Sequence, residues 1–388
     1  MSYPMQCTTS PAPLRHRAWR TLSLMAACLL GLPVAQAGVT IAQIVPLSGP
    51  LAGPGMTFSA GAAACIEDTN RKGGVAGKPV KYVKVDDGYD PARSVAALES
   101  LLERPDRPSA LLVFGTASSL AVSKRAAELK AELPILPTGS GARSLQESED
   151  PNLFHVRAAT AVEVDRLIAA HAITGIKSFA VIYQDDALGQ DGLAAARATM
   201  ARLGLPAPPA VGFARGTKDF DTVARQVAGA AAQAVLIVGP GPDIARFIQS
   251  ARTAQLTARL LAISNLEPSQ LVKTVGTDAA RGISIAQVFP DLVHPRLPLA
   301  REFTRIVGAS PDTALLNPYA LEGCIQALTV IEAARRTRDG SGPALRQALE
   351  NSSRLDLGGY FLTFSRGRHA GSSFVNIGVM DRQGQLRF

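Results

Sequence analysis

Residues 41–91 read IAQIVPLSGPLAGPGMTFSAGAAACIEDTNRKGGVAGKPVKYVKVDDGYDP, a strand, loop, helix, turn and strand with every boundary signalled. Ile41 to Val45 is a short apolar run closed by Pro46 and Gly49, the pattern of a strand buried on both faces. Phe58, Ala62, Cys65 and Ile66 then recur at helical spacing and share one face. Arg71 and Lys72 suit the negative end of that helix, and Gly73-Gly74 supplies the left-handed residue that ends it. Val80 to Val85 returns as a strand. Strand, helix and strand with short connections predict a right-handed crossover and a parallel sheet covered by helices. The loop Pro46 to Gly55 lies at the carboxyl end of its strand, where open α/β sheets bind ligands.

The rhythm repeats. Ala110 to Phe114 reads as a strand, followed by the turn Gly115-Thr116-Ala117-Ser118-Ser119 and a helix through Leu133. Pro134 to Leu136 and the turn Thr138-Gly139-Ser140-Gly141 come next, then a break from Pro151 to Ala159. A second series follows: a helix from Val162, a strand at Phe179 to Tyr183, a helix at Gly192 to Leu203 and a strand at Ala234 to Val238. Gly239-Pro240-Gly241-Pro242-Asp243 opens another helix, and Leu260 to Ile263 and Ile283 to Ala286 are further strands. The tail carries helices at Asn317 to Arg336 and Gly342 to Asn351, then short β runs from Gly358 to Phe388. The predicted fold class is α/β: two similar lobes, each a parallel-rich sheet with helices on both faces, joined by three hinge crossings near residues 156, 284 and 355. Lobe one then spans 38–155 plus 284–355, and lobe two 156–283 plus 356–388.

A chain of 388 residues suits about two domains. Residues 1–37 read as an export signal: Arg15, Arg17 and Arg20 precede the apolar run Leu22 to Val34, and Ala35-Gln36-Ala37 is a small-x-small cleavage site. Leu24-Met25-Ala26-Ala27-Cys28 resembles a lipobox, but the apolar run continues past Cys28 to the better site. No later stretch is long enough to span a bilayer, so a periplasmic location is expected. Cleavage removes three arginines and no acids, taking the net charge from +8 to +5 (8 − 3 = 5). The remaining Lys and Arg are spread singly with no aromatic ladder, which excludes nucleic acid as the expected partner. Cys65 and Cys324 are the two cysteines of the mature chain. An oxidising compartment permits a bridge, but each sits on an apolar helix face among small residues, and two buried thiols are expected.

Catalysis and metal binding find little support. His155, His171, His294 and His369 are scattered without ligand spacing. Ser140 lacks the setting of a nucleophile elbow, and neither a GxGxxG nor a P-loop lysine is present. No cofactor, no metal and no enzymatic activity are expected. Asp86, Asp87 and Asp90 look like a metal cluster but read better as a solvated turn and cap. Tyr89 in the same loop can reach a cleft. Tyr319 and Glu322 lie one helical turn apart; Glu322 is read as part of an exposed helix face, with a bond to the other lobe as the alternative.

The segments PLSGP, NRKGGVAGKPV, DDGYDPARSV, GTASS and PTGSG, with YQDDALGQDG and NPYALEGCIQAL later, are together similar to the periplasmic solute-binding proteins of the branched-chain amino acid (Leu/Ile/Val) class of ABC importers. The ordered set runs through the mature chain. The resemblance implies a monomer that closes on a small carboxylate or amino-acid-like solute and delivers it to an ABC permease and its ATPase subunits. The same fold presenting a solute to a membrane sensor is one alternative, and an enzyme on the same fold the other. In the family the ligand's α-carboxylate and ammonium are held by the strand-to-helix turns, which carries over here to Ser118, Ser119, Thr138, Gly139 and Ser140.

This chain departs from that pattern where relatives contact the side chain and the ammonium group. Pro54 stands in place of an aromatic in the first loop, Leu188 in place of a tyrosine, and Pro240-Gly241 in place of an aromatic pair. The acidic residue that would hold the ammonium is replaced near Ser264. Small residues in place of aromatic walls leave room, and a carboxylate without an α-amine, aromatic or not, is the ligand those departures suggest.

Overall fold

The computed structural model describes residues 1–2, 4–5, 38–308, 315–337 and 339–388. The export signal expected over 1–37, with Cys28 and the Ala35-Gln36-Ala37 site, lies outside the described residues but for four at its start. Among the described residues no helix is long and apolar enough to cross a membrane.

The first lobe opens with β1 (Thr40–Val45), α1 (Ala52–Arg71), β2 (Lys81–Asp86), α2 (Pro91–Glu103), β3 (Ala110–Phe114), α3 (Thr116–Glu128), β4 (Ile135–Thr138) and the short α4 (Arg143–Gln146). Its four strands are parallel in the order β2-β1-β3-β4. The central pair, β1 and β3, is buried at every residue, as apolar runs without alternation require. α1 ends as its sequence dictates: Gly73 and Gly74 take φ of 98° and 70°, which glycine alone adopts without strain. No separate turn follows β3. Gly115 makes the bend alone at φ 82°, so Ser118 and Ser119 fall in the first turn of α3 and are buried.

The second lobe follows as α5 (Thr160–Ile173), β5 (Phe179–Gln184), α6 (Ala187–Arg202), β6 (Ala210–Phe213), α7 (Phe220–Ala228), β7 (Ala234–Val238), α8 (Gly241–Thr253), β8 (Arg259–Ala262), α9 (Pro268–Ala280) and β9 (Ser284–Gln287). The chain continues through α10 (Pro298–Gly308), α11 (Pro318–Arg335), α12 (Gly342–Glu350), β10 (Leu355–Asp356) and β11 (Phe361–Leu362), and finishes with β12 (Asn376–Met380) and β13 (Leu386–Arg387). The larger sheet has the order β13-β12-β9-β8-β7-β5-β6, parallel from β9 to β6 and antiparallel at the β12 and β13 edge.

Two crossings fall later than their expected positions. β9 pairs with both β8 and β12, so the return to the first lobe follows Gln287 and not residue 284. Leu355, Leu357, Tyr360, Leu362 and Phe364 are buried with Phe154, Phe303 and Leu345 of the first lobe, and His155 bridges to Ala370. The final passage to the second sheet therefore lies between Ala370 and Asn376, not near 355. Burying five large apolar side chains, each stabilising by about 1.5–3 kcal/mol, overrides the simpler assignment of all terminal β runs to the second lobe.

α1 and α11 approach very closely. A Cβ on Gly61 would lie 1.9 Å from the Ala320 carbonyl oxygen, and one on Gly323 2.0 Å from that of Phe58. This contact brings the Cα atoms of Cys65 and Cys324 to 5.4 Å, and the two sulfurs are bonded. The expectation of two buried thiols is thus corrected to a disulfide. Gly323→Ala forces a methyl group against main chain and is expected to cost about 1–3 kcal/mol. Gly308→Ala, where nothing lies within 4 Å, should leave the thermal unfolding midpoint unchanged; equal midpoints for the two variants would refute the close contact.

Candidate functional site

The carboxyl ends of β2, β3 and β4 face those of β7 and β8 across a small cavity. From the first lobe, α1 contributes Leu51 at its cap, Pro54 and Phe58; the loops contribute Tyr89, Gly115 and Gly139; α11 contributes Tyr319. From the second come Leu188 of α6, the Pro240-Gly241-Pro242 start of α8, and Asn265. Arg157, in the first crossing, completes the wall. The cavity measures about 30 Å³, room for one or two waters, so the lobes are drawn together.

Aromatic rings form most of the first-lobe wall. Phe58 stacks on Tyr319 with centroids 4.8 Å apart and meets Phe114 edge-on at 5.5 Å; Tyr89 meets Phe114 edge-on at 5.8 Å. Tyr89 is fixed by its backbone, at φ 65°. Its ring lies where a Cβ on Gly115 would be, 2.7 Å from Cε2, which is why glycine stands there. Burial pushes the Tyr89 hydroxyl up to about 12.

Two helices point their N-termini into this space without a side-chain cap: α3, entered at Gly115, and α8, entered at Pro240. The first N–H groups of a helix have no intrahelical acceptor and carry the positive end of its dipole. The first lobe therefore aims the uncapped N–H groups of α3 at the cavity, the geometry that holds anions, while α8 adds the Gly241 N–H, since Pro242 has none and the Asp243 N–H bonds the Pro240 carbonyl.

Arg157 is the charged residue of the wall and is 2 % exposed. Its Nη1 donates to Glu322 Oε2 at 3.1 Å, Nη2 donates to the Ser264 hydroxyl, and Glu163 Oε1 lies 3.6 Å away. Glu322 also accepts the Gly139 N–H at 2.8 Å, and Glu163 accepts the Ser264 N–H at 2.7 Å. Burial works against the Arg157 cation, but Glu322 and Glu163 outweigh it and hold it charged. Burial raises both glutamates, with Arg157 offsetting part of the rise. One glutamate comes from each lobe, so the arginine ties both to the crossing.

Further contacts bridge the lobes. Asn265 Nδ2 donates to the Gly139 carbonyl at 2.8 Å, and the Tyr319 hydroxyl donates to the Asn265 carbonyl. Arg215 lies 4.2 Å over the Tyr89 ring and donates to the Tyr89 carbonyl at 3.2 Å. At the rim, Asp191 accepts the Ser144 N–H and hydroxyl at 2.9 and 3.0 Å. A Cβ on Gly241 would lie 2.6 Å from the Tyr319 hydroxyl, so this approach requires glycine.

Of the residues singled out in the sequence, Tyr89, Gly139, Leu188, Pro240 and Gly241 line the cavity. Ser118 bonds Ser94 and Asp87, and Ser119 bonds the Val113 carbonyl. Thr138 donates to Gln326, Ser140 pairs with Thr116, and Ser264 holds Arg157 from behind. These five hydroxyls stand behind the wall: α3 begins at Thr116, four residues earlier than the sequence suggests, which turns Ser118 and Ser119 inward, and Thr138, Ser140 and Ser264 are taken by Gln326, Thr116 and Arg157. Glu322, read as exposed, is buried. Asp87, read as solvated, is also buried and accepts from Ser94 and the Tyr89 N–H. Asp86 accepts the N–H groups of Leu47, Ser48 and Gly88, and Asp90 caps α2.

Sequence reading missed Arg157, Phe58, Phe114, Thr116 and Asn265. The walls are not opened by small residues as the sequence departures implied: Phe58 and Tyr319 fill them from helices that read simply as core.

Two lobes closing over a cavity at their strand ends define a ligand-binding α/β fold. The chain belongs to the periplasmic binding protein family, whose model matches residues 38–385. It is 29% identical to an amino acid binding protein of Pseudomonas aeruginosa over 77% of this chain and 80% of that protein. It is 25% identical to Leu/Ile/Val-binding protein homolog 3 of Brucella melitensis, over 85% and 88%. A crystal structure of an extracellular ligand-binding receptor from Verminephrobacter eiseniae superposes with a TM-score of 0.82 at 31% identity, covering 91% of this chain and all of that one (100%).

Proposed function

We propose that this protein is the exported solute-binding component of an ABC importer. It captures a small carboxylate or amino-acid-like solute between its lobes and presents the closed form to a membrane permease. The observation that carries this reading is a cavity lined by both lobes, with the uncapped start of α3 on one side, the Gly241 N–H of α8 on the other and a buried arginine in its wall. Solute touching both lobes stabilises the closed form over the open one by its differential contacts. The hinges are the passages around Arg157, after Gln287 and between Ala370 and Asn376. The mature chain begins near Gly38 in the periplasm, acts as a monomer and turns over no substrate. The relatives' printed names, which refer to amino acid binding, support the binding role.

The test is thermal unfolding of mature protein, stripped of carried-over solute by unfolding and refolding, against amino acids, aromatic acids and aliphatic carboxylates. A ligand at about 100 times its dissociation constant adds about 2.7 kcal/mol and shifts the midpoint by several degrees. Refolded protein with no shift across the panel contradicts the assigned solute classes.

Arg215 contributes to closure without lining the cavity. Replacing it by alanine removes a stacked cation worth about 1 kcal/mol and should weaken solute binding roughly fivefold, mainly through faster release. An unchanged dissociation rate would show that its contact with Tyr89 does not hold the lobes closed.

A further inference from the structure

The relatives are named for amino acids, but the cavity is poorly built for an ammonium group. An ammonium presents three donors and a full positive charge, and no carboxylate lines the cavity among the described residues. The acids around it are already engaged. Glu322 is taken by Arg157 and the Gly139 N–H, Asp87 by Ser94 and its own loop, Asp243 by Arg246 and Asp186 by the Gly189 N–H.

The donors available to a ligand are of the opposite kind. α3 opens toward the cavity uncapped, and α8 adds the Gly241 N–H alone. Independently of them, Arg157, 2 % exposed and part of the wall, keeps its Nε–H buried without a protein acceptor. Asn265, also in the wall, contributes one buried acceptor, Oδ1, without a partner. Its amide orientation is set by the bond from Nδ2 to the Gly139 carbonyl. A lone amide oxygen takes fewer donors than the three an ammonium presents. Phe58, Phe114, Tyr89 and Tyr319 add a continuous aromatic wall, and rings meet such a wall edge-on or offset-stacked.

We infer that the solute is an aromatic carboxylate lacking an α-amino group, its carboxylate on the uncapped start of α3 and Arg157, and its ring among Phe58, Tyr89 and Tyr319. This rests on the solute-binding reading and names the chemistry of the same site. The lobes must separate to admit such a ligand, because the closed cavity is only about 30 Å³.

Titration calorimetry of the stripped mature protein with five probes tests it: 3-phenylpropanoate, phenylalanine, 3-phenylpropylamine, leucine and hexanoate. Phenylalanine differs from 3-phenylpropanoate by the α-ammonium alone, the amine lacks the carboxylate, and hexanoate lacks the ring. The expected result is 3-phenylpropanoate binding at least tenfold tighter than either amino acid or hexanoate, with no heat from the amine. Phenylalanine or leucine binding as tightly overturns the inference, and equal binding of hexanoate overturns its aromatic part. Failure of all five also overturns it. Mass spectrometry of solute released on denaturing the purified protein separates that failure from failure of the binding role. A released small molecule of another class leaves the binding role standing; no released molecule, together with no thermal shift across the wider panel, removes both.

Discussion

Arg157→Met is expected to lower stability by about 3–5 kcal/mol at pH 7, a fall in unfolding midpoint of roughly 5–10 °C. The substitution keeps much of the side chain's length and removes its charge, leaving Glu163 and Glu322 buried without their shared cation. The pH dependence identifies the cause. Burial already raises both carboxyl groups from their ordinary value of 4.5, and Arg157 opposes that rise. Without it they bind protons more readily in the folded state than in the unfolded state. A folded state that holds more protons gains stability as pH falls. The variant should therefore recover part of its deficit relative to wild type as pH falls through the raised folded-state values, and the recovery should level off below about 4.5. A deficit independent of pH, measured by thermal unfolding between pH 8 and pH 5, would mean that lost packing and not uncompensated charge is responsible.

Removing the Cys65–Cys324 disulfide should have a comparable effect. The bridge joins residues 259 apart in sequence, and loop closure of that length corresponds to about 5.5 kcal/mol in the chain-entropy relation. The alanine pair Cys65→Ala with Cys324→Ala, or wild type under reductant, should therefore unfold many degrees lower. The bridge also fixes α1 against α11, the helices that carry Phe58 and Tyr319 into the cavity wall. Solute affinity is expected to fall as well. Wild type and the double variant unfolding at the same temperature, with reductant having no effect on either, would show that the bond contributes nothing in solution.

Much of the framework is legible in the chain because local signals agree with tertiary ones. β3 at Ala110 to Phe114 and β7 at Ala234 to Val238 lie where their unbroken apolar runs place them. Asn317, the expected start of a long helix, is the cap of α11. β6 and α7 escape such reading: β6 is a four-residue edge strand, half exposed and preceded by Pro208-Pro209.

The site is less legible, because its parts come from distant positions. Arg157 sits in a stretch with no periodicity, and its partners Ser264 and Glu322 are 107 and 165 residues away. Nothing near Arg157 in sequence announces a buried cation. The disulfide left a fainter mark. Gly61 precedes Cys65 by four residues and Ala320 precedes Cys324 by four, so each cysteine shares a helix face with a small residue. Two such faces fit each other closely enough for a bridge. The hydroxyl-rich turns were recognisable as important, but whether a hydroxyl faces the cavity or the core depends on the residue at which the helix starts, which sequence places only to within a few residues.

The most direct test of the central claim is a crystal structure of mature protein loaded with the solute it binds most tightly. The predicted result is ligand density between Phe58 and Tyr89 on one lobe and Leu188 and Gly241 on the other, with its anionic group against the start of α3. Density elsewhere, for example in the open groove of about 610 Å³ lined by His155, Arg346 and Glu350, with the cavity between the lobes unchanged, would contradict it.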